Sequence, residues 1–162
     1  MNGLGKPGLF VSGLLVKIGG IFLVGMIVLT CANIFLRLVW LPVRGTFELM
    51  GFFGAVVAAF ALAHTQTLKG HIAVDVLLDT FSPGKKRFCR IVNSLACFLF
   101  MVLCAWQLTL KGFILRETGE ITETLNIAYY PFVWGVAFGC LVLALIFLSD
   151  LIDNLFKTKG GA

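Results

Sequence analysis

The sequence predicts an all-α integral membrane protein with four transmembrane helices and a short amphipathic interfacial helix between helices 2 and 3. The first observation is composition: 59% of the 162 residues are hydrophobic and 13% are charged, whereas about a quarter of a soluble domain is charged. The second is the presence of four long stretches without Lys, Arg, Asp or Glu, at residues 18–36, 49–68, 91–110 and 124–149. A helix of about 20 apolar residues spans a bilayer core.

These stretches and their flanks give the expected bounds of each element. A flexible N-terminal tail is expected over residues 1–13, which are rich in glycine. The first helix is too long for a signal peptide and lacks a small-residue cleavage site, so we expect it to be retained. The predicted segments are membrane helices at about 14–36, 47–68, 88–111 and 132–155, and a C-terminal tail at 156–162.

The interfacial helix is predicted at about 71–82. His71, Asp75 and Asp79 recur every four residues on one face, apolar residues fill much of the rest, and the helix is too short to span. Its polar face is acidic, which favours a contact with protein over one with lipid headgroups. His71 and Asp75 can pair within one turn, but two ligands do not make a metal site.

The basic residues predict the orientation. Nine of the 13 Lys and Arg lie in residues 1–17, 69–90 and 156–162, and four lie in residues 37–44 and 111–116. The positive-inside rule therefore predicts that both termini are cytoplasmic. Membrane orientation explains the net charge of +5, and we expect no nucleic-acid partner.

Small residues mark candidate helix-contact faces. In lipid, helices associate through close backbone approach, which small side chains permit. Such contacts can form within the chain or with another subunit, and the pattern leaves both open. The residues in question are Gly51, Ala55, Ala59 and Ala63 on helix 2, each four apart, and Gly135 and Gly139 on helix 4.

Few residues suggest chemistry. Glu48 lies in the first turn of helix 2, where the helix dipole favours a carboxylate. His64 has no carboxylate within helical reach, which favours hydrogen-bonded packing over a proton relay. The five cysteines contain no C-x-x-C pair and are expected to pack as apolar residues. We expect no enzymatic activity, no catalytic residue, no cofactor and no metal site.

Three segments carry a resemblance to a known family. They are Thr46-Phe47-Glu48-Leu49 at the start of helix 2, Lys69-Gly70-His71-Ile72-Ala73-Val74-Asp75 after it, and Gly119-Glu120-Ile121-Thr122-Glu123-Thr124-Leu125-Asn126-Ile127, which leads through Tyr130-Pro131 into helix 4. With these motifs the chain resembles the small membrane subunit of tripartite ATP-independent periplasmic (TRAP) transporters, the DctQ-type family. Two features depart from the family pattern: Asn126-Ile127-Ala128 replaces a common Gly-Ile-Pro, and Glu48 stands alone where two acidic residues are common.

The resemblance implies a division of labour. A soluble periplasmic protein captures an organic anion, and a large membrane subunit moves it inward with sodium by an elevator motion. The small subunit, in the bacterial inner membrane, braces the large one and helps dock the binding protein. The resemblance makes Glu48, His71, Asp75, Gly119, Glu120 and Pro131 the motif residues.

Two other classes of function remain open. One is a self-contained, homo-oligomeric small transporter or exporter, which the lack of a carboxylate within the membrane stretches disfavours. The other is a membrane assembly or anchor protein. If the chain is a small TRAP subunit, the residues that bind substrate belong to other subunits.

Overall fold

The structure, a computed structural model, describes residues 6–39, 41–68 and 83–156. It contains four α-helices long and apolar enough to cross a membrane, and outside them the described residues form one isolated bridge, between Ile121 and Ala128. The predicted all-helical fold with four membrane helices is therefore confirmed. The helices are α1 (Lys6–Val39), α2 (Thr46–Thr67), α3 (Pro83–Thr118) and α4 (Tyr130–Phe156).

The helices differ in length from the sequence prediction. Helix α1 begins at Lys6, inside the tail expected to be flexible, and α3 extends past both predicted ends. The charge-free stretch marks only the depth of the hydrocarbon core, while the backbone hydrogen bonds of a helix continue through the polar interface. The interfacial helix expected at 71–82, with His71 and Asp75, lies outside the described residues.

The four helices lie side by side in the order α1, α2, α4, α3. Neighbours in this row contact each other along their lengths, and α1 barely touches α4. In the most apolar 18-residue stretch of each helix, 33% of residues in α2 and 39% in α4 are buried, against 11% in α1 and in α3. The two inner helices therefore form the centre, and the outer two expose most of their apolar surface.

The core lies between α2 and α4, and Leu15 of α1 extends it. Gly139 of α4 lies so close to α2 that a Cβ added there would be 2.9 Å from the Cβ of Ala59 and 3.2 Å from a ring carbon of Phe60. This close approach allows larger side chains on either side to interlock. The buried core residues are Leu15, Val56, Ala59, Phe60, Ala63, Val142, Leu143, Ile146 and Phe147.

Helix α3 packs on α4 through a second glycine. A Cβ added at Gly112 would overlap the indole ring of Trp134. The same ring makes edge-to-face contacts with Phe113 (centroids 5.4 Å apart) and Tyr130 (5.3 Å), and the guanidinium of Arg116 lies 6.0 Å from its centroid. Gly112 thus lets an aromatic cluster fix the α3–α4 pair near the loop that joins them.

Candidate functional site

Glu48 at the start of α2 binds the loop that joins α3 to α4, here called the α3–α4 loop (residues 119–129). The backbone N–H of Thr124 donates to Glu48 Oε1 (2.8 Å), and the backbone N–H of Leu125 donates to Oε2 (3.2 Å). Hydrogen bonds to an ionised carboxylate are roughly twice as strong as neutral ones. One side chain therefore connects two parts of the chain that are more than 70 residues apart.

The α3–α4 loop begins with a glycine that ends α3. Gly119 adopts a left-handed conformation (φ +66°), and the backbone N–H of Glu120 donates to the carbonyl of Leu115 at 3.3 Å. This is the hydrogen-bond pattern of a Schellman motif, in which a glycine follows the last helical residue. The sequence places Gly119 here because a residue without Cβ adopts this conformation at little cost.

Thr122 closes the rest of the loop on itself. It is 1% exposed, and its N–H donates to the carbonyl of Ile127 (2.9 Å). Its hydroxyl oxygen accepts from the N–H of Ile127 (3.1 Å), and its carbonyl accepts from the N–H of Asn126 (3.1 Å). Asn126 has φ +55°, a region in which asparagine is enriched among non-glycine residues. The loop is therefore a closed, hydrogen-bonded turn.

The connection between α1 and α2 supports the same loop from the other side. Gly45 has φ +75°, and the side chain of Leu125 occupies the space where a Cβ at Gly45 would lie. The hydroxyl of the buried Thr46 donates to the carbonyl of Val43 (2.8 Å), whose N–H donates to Asn33 Oδ1 on α1 (2.9 Å). Helix α1 thus helps hold the residues on which Leu125 rests.

Aromatic packing continues from the loop into the membrane region. Phe52, one turn after Glu48, stacks on Phe132 of α4 with ring centroids 4.3 Å apart and planes 7° from parallel. The ring of Tyr129, at the end of the loop, contacts Phe52 edge-on at 5.3 Å. These contacts keep the start of α2 beside the start of α4, where Glu48 reaches the loop.

The outward side of the loop is acidic. Glu120 and Glu123 are exposed, as is Glu117 in the last turn of α3, and Ile121 between them is 52% exposed. Because the polar backbone groups of the loop bind each other and Glu48, these side chains stand on a fixed support.

The motif residues that the structure describes come together at this end of the molecule. Glu48 contacts the loop that Gly119 and Glu120 begin, and Pro131 is the second residue of α4. In the sequence, Glu48 was assigned to the dipole of its own helix and to the family motif. Its true partners could not be read from spacing, because backbone N–H groups leave no residue-type signature.

The small residues of α2 do not share one face. Ala59 and Ala63 are buried, whereas Gly51 and Ala55 are exposed. A row spaced by four residues turns by about 40° at each step, because a helix has 3.6 residues per turn. Gly135 on α4 lies near Val56 of α2. A helix-contact role for the exposed Gly51 and Ala55 remains a prediction, and it would require a helix of another subunit.

A different polar contact joins α2 to α4 at the opposite end. Gln66 Nε2 donates to Asp150 Oδ2 (3.0 Å), and both residues are half-buried. His64 Nδ1 and Gln66 Oε1 are buried and have no hydrogen-bond partner in the part of the chain that the structure describes. Sequence reasoning missed the Gln66–Asp150 pair because α4, not α2, supplies the carboxylate.

Four apolar helices of spanning length, arranged in a row with exposed apolar edges, define a multi-pass membrane protein. The sequence model of the family described as tripartite ATP-independent periplasmic transporters, DctQ component, matches residues 26–157. The match covers most of the chain, which therefore belongs to this family, the small membrane component of TRAP transporters in the bacterial inner membrane. The family is a transporter component and not an enzyme, and the predicted resemblance is confirmed. No curated protein and no solved structure matches the chain.

Proposed function

We propose that this chain braces the large membrane subunit of its transporter and helps dock a periplasmic binding protein, in a system that takes up an organic anion with a sodium gradient. The observation that carries the bracing role is the open row of helices. A chain that worked alone would be expected to bury its helices around a shared pathway. Here the two outer helices, α1 and α3, leave apolar faces for another protein to cover.

The exposed surface supports this role. On α1, Ile21 is 73% exposed and Leu38 is 82% exposed, and on α3 Trp106 is 65% exposed. Lipid covers such surfaces in part, but Gly51 and Ala55 are also exposed, and small residues in a membrane helix favour contact with another helix. We infer that α1 and the exposed side of α2 face the large subunit.

The transport chemistry is assigned to that other subunit. Ion and proton pathways in membrane proteins are usually marked by ionisable side chains within the bilayer. The stretches of this chain that are long enough to span the membrane, residues 18–36, 49–68, 91–110 and 124–149, contain no Lys, Arg, Asp or Glu. Sodium coupling and an organic-anion substrate are the properties that the family resemblance implies for the complete transporter.

The docking role depends on orientation. Nine of the 13 Lys and Arg lie in residues 1–17, 69–90 and 156–162, so the positive-inside rule orients the termini towards the cytoplasm. The α3–α4 loop then faces the periplasm. Its hydrogen-bonded backbone and exposed acidic side chains make it the surface that we assign to binding-protein contact.

Reconstitution into lipid vesicles tests the subunit assignment. We expect uptake only when the chain, its large membrane partner and the binding protein are all present with an inward sodium gradient. The chain alone should move no substrate. Uptake or efflux by the chain alone would overturn the proposal and favour the self-contained homo-oligomeric transporter.

Cysteine labelling in intact cells tests the orientation. In a variant without the five native cysteines, Glu120→Cys should react with a membrane-impermeant maleimide and Lys85→Cys should not; both positions are exposed. The opposite pattern would invert the topology and remove the α3–α4 loop from the side where a periplasmic protein docks.

A further inference from the structure

We propose that Glu48 is a positioning residue, whose carboxylate holds the α3–α4 loop in the conformation that the binding protein recognises. This inference rests on the proposed docking function. It assigns the position of the docking surface to one residue, and this residue lies on α2 and not on the loop itself.

The first argument is the match between the two groups. Thr124 and Leu125 present two consecutive backbone N–H groups, and each binds a different oxygen of Glu48, at 2.8 and 3.2 Å. A carboxylate is the side chain with two equivalent acceptors at this spacing. The amide of a glutamine offers one oxygen, and its NH₂ group would face an N–H donor. The site therefore selects Glu over Gln by hydrogen bonding as well as by charge.

The second argument is that the loop's own hydrogen bonds set its shape but not its position. The bonds of Thr122 with Asn126 and Ile127 lie entirely within the loop. A closed turn of this kind can move as a unit on its two ends. The bonds from Glu48 join the turn to α2, and the packing of Leu125 against Gly45 completes that attachment.

The third argument concerns a competing role for Glu48. A carboxylate in the first turn of a helix can bind the free N–H groups of that helix. The hydrogen bonds of this carboxylate instead go to the α3–α4 loop. Gly45, the residue before α2, provides no side-chain cap, and the hydroxyl of Thr46 donates to Val43. Glu48 is thus turned away from its helix and towards the loop.

The consequence for docking follows from entropy. Thr124 and Leu125 come directly after exposed Glu123 and close to exposed Ile121. If the bonds from Glu48 are lost, these side chains sample several positions, and docking must order them again. Preorganisation improves affinity by removing such ordering costs. The effect should fall on binding-protein affinity and not on the transport step.

The experiment measures uptake by the complete transporter in vesicles as a function of binding-protein concentration. The variants are Glu48→Ala and Glu48→Gln, with Asp150→Asn as a matched control that removes one carboxylate near the other end of α4, far from the α3–α4 loop. A spin label at Glu123→Cys, in a variant without the native cysteines, reports loop motion in separate samples that are not used for uptake.

We expect Glu48→Ala to raise the half-saturating concentration of binding protein on the order of tenfold while the maximal rate changes little, because lost preorganisation weakens docking. Glu48→Gln should show a smaller rise, since one acceptor oxygen remains. The label at position 123 should become more mobile in both variants, and the control should behave like the parent protein.

Several outcomes would overturn the inference. A mobile label with an unchanged half-saturating concentration would show that the position of the loop does not govern docking. An immobile label in Glu48→Ala would show that Glu48 does not hold the loop. If both Glu48 variants fail to assemble with the large subunit, Glu48 acts in assembly and not in docking. If the parent complex shows no dependence on a binding protein, the proposed function itself fails, which is a separate result.

Discussion

The two ends of α2 are joined to α4 and its preceding loop by different chemistry. At the first end, the Glu48 carboxylate accepts two backbone N–H groups, and a left-handed glycine gives room for Leu125. At the other end, a single side-chain hydrogen bond joins Gln66 to Asp150, and two buried polar atoms nearby have no partner in the described part of the chain.

The difference indicates where the chain needs a fixed shape. Bonds to backbone N–H groups define the path of the main chain and so the position of every side chain attached to it. A bond between two side chains fixes helix spacing more loosely, because both side chains keep rotational freedom. The loop end of α2 is therefore more firmly fixed than the Gln66 end.

The largest expected effect tests the packing that keeps both ends aligned. Gly139→Leu should destabilise the subunit by about 3 kcal/mol, because overpacking a tight helix contact forces the backbones apart. The added side chain would meet Ala59 and Phe60. Denaturant titration followed by circular dichroism in detergent measures the free energy of unfolding.

Gly20→Leu is the matched control for this change. Gly20 is exposed, and nothing lies within 4 Å of an added Cβ. Equal stabilities for the two leucine variants would mean that α2 and α4 do not depend on the close approach at Gly139. The two ends of α2 could then no longer be compared as parts of one helix held against α4 by the contact at Gly139.

The next effect tests the loop end alone. Gly45→Ala should cost about 2 kcal/mol, since a left-handed conformation is unfavourable by 1–2 kcal/mol for residues with a Cβ and the new methyl group meets Leu125. The same denaturant titration measures the loss. A spin label at position 123 should also gain mobility.

Gly84→Ala serves as the control for Gly45→Ala, because its added Cβ has open space and its backbone is helical. If Gly45→Ala keeps the parent stability and label mobility, the Gly45–Leu125 contact does not hold the loop, and the contrast between the two ends rests on Glu48 alone.

The smallest effect tests the opposite end. Asp150→Ala should destabilise the subunit by about 0.6 kcal/mol, the average for a hydrogen bond between helices in a membrane protein. A double-mutant cycle with Gln66→Ala should give a coupling energy of similar size in the same titration. Loop mobility should not change.

A coupling energy above the loss of stability in Gly45→Ala would reverse the comparison. The cycle isolates the pair because each single variant removes one partner of the same bond. In that case the Gln66 end, and not the loop end, would be the more firmly fixed part of α2.

The sequence predicted the membrane helices well because hydrocarbon imposes one rule on every spanning segment. Long charge-free stretches located all four helices, and the motif around Glu48 and Gly119 indicated the family. The helix ends were less predictable: α1 begins at Lys6 and α3 ends at Thr118. Outside the hydrocarbon core, hydropathy no longer distinguishes a continuing helix from a loop.

The sequence by itself determined the class of protein, the number of membrane helices and the family, since hydropathy and short motifs are local properties. Tertiary structure decided which residues meet. The row of four small residues on α2 turns around the helix, so only Ala59 and Ala63 are buried within this chain. Tertiary structure alone also identified the hydrogen-bond partners of Glu48, which are backbone N–H groups of a distant loop. Every residue except proline carries such a group, so only the folded chain shows which of them a side chain binds.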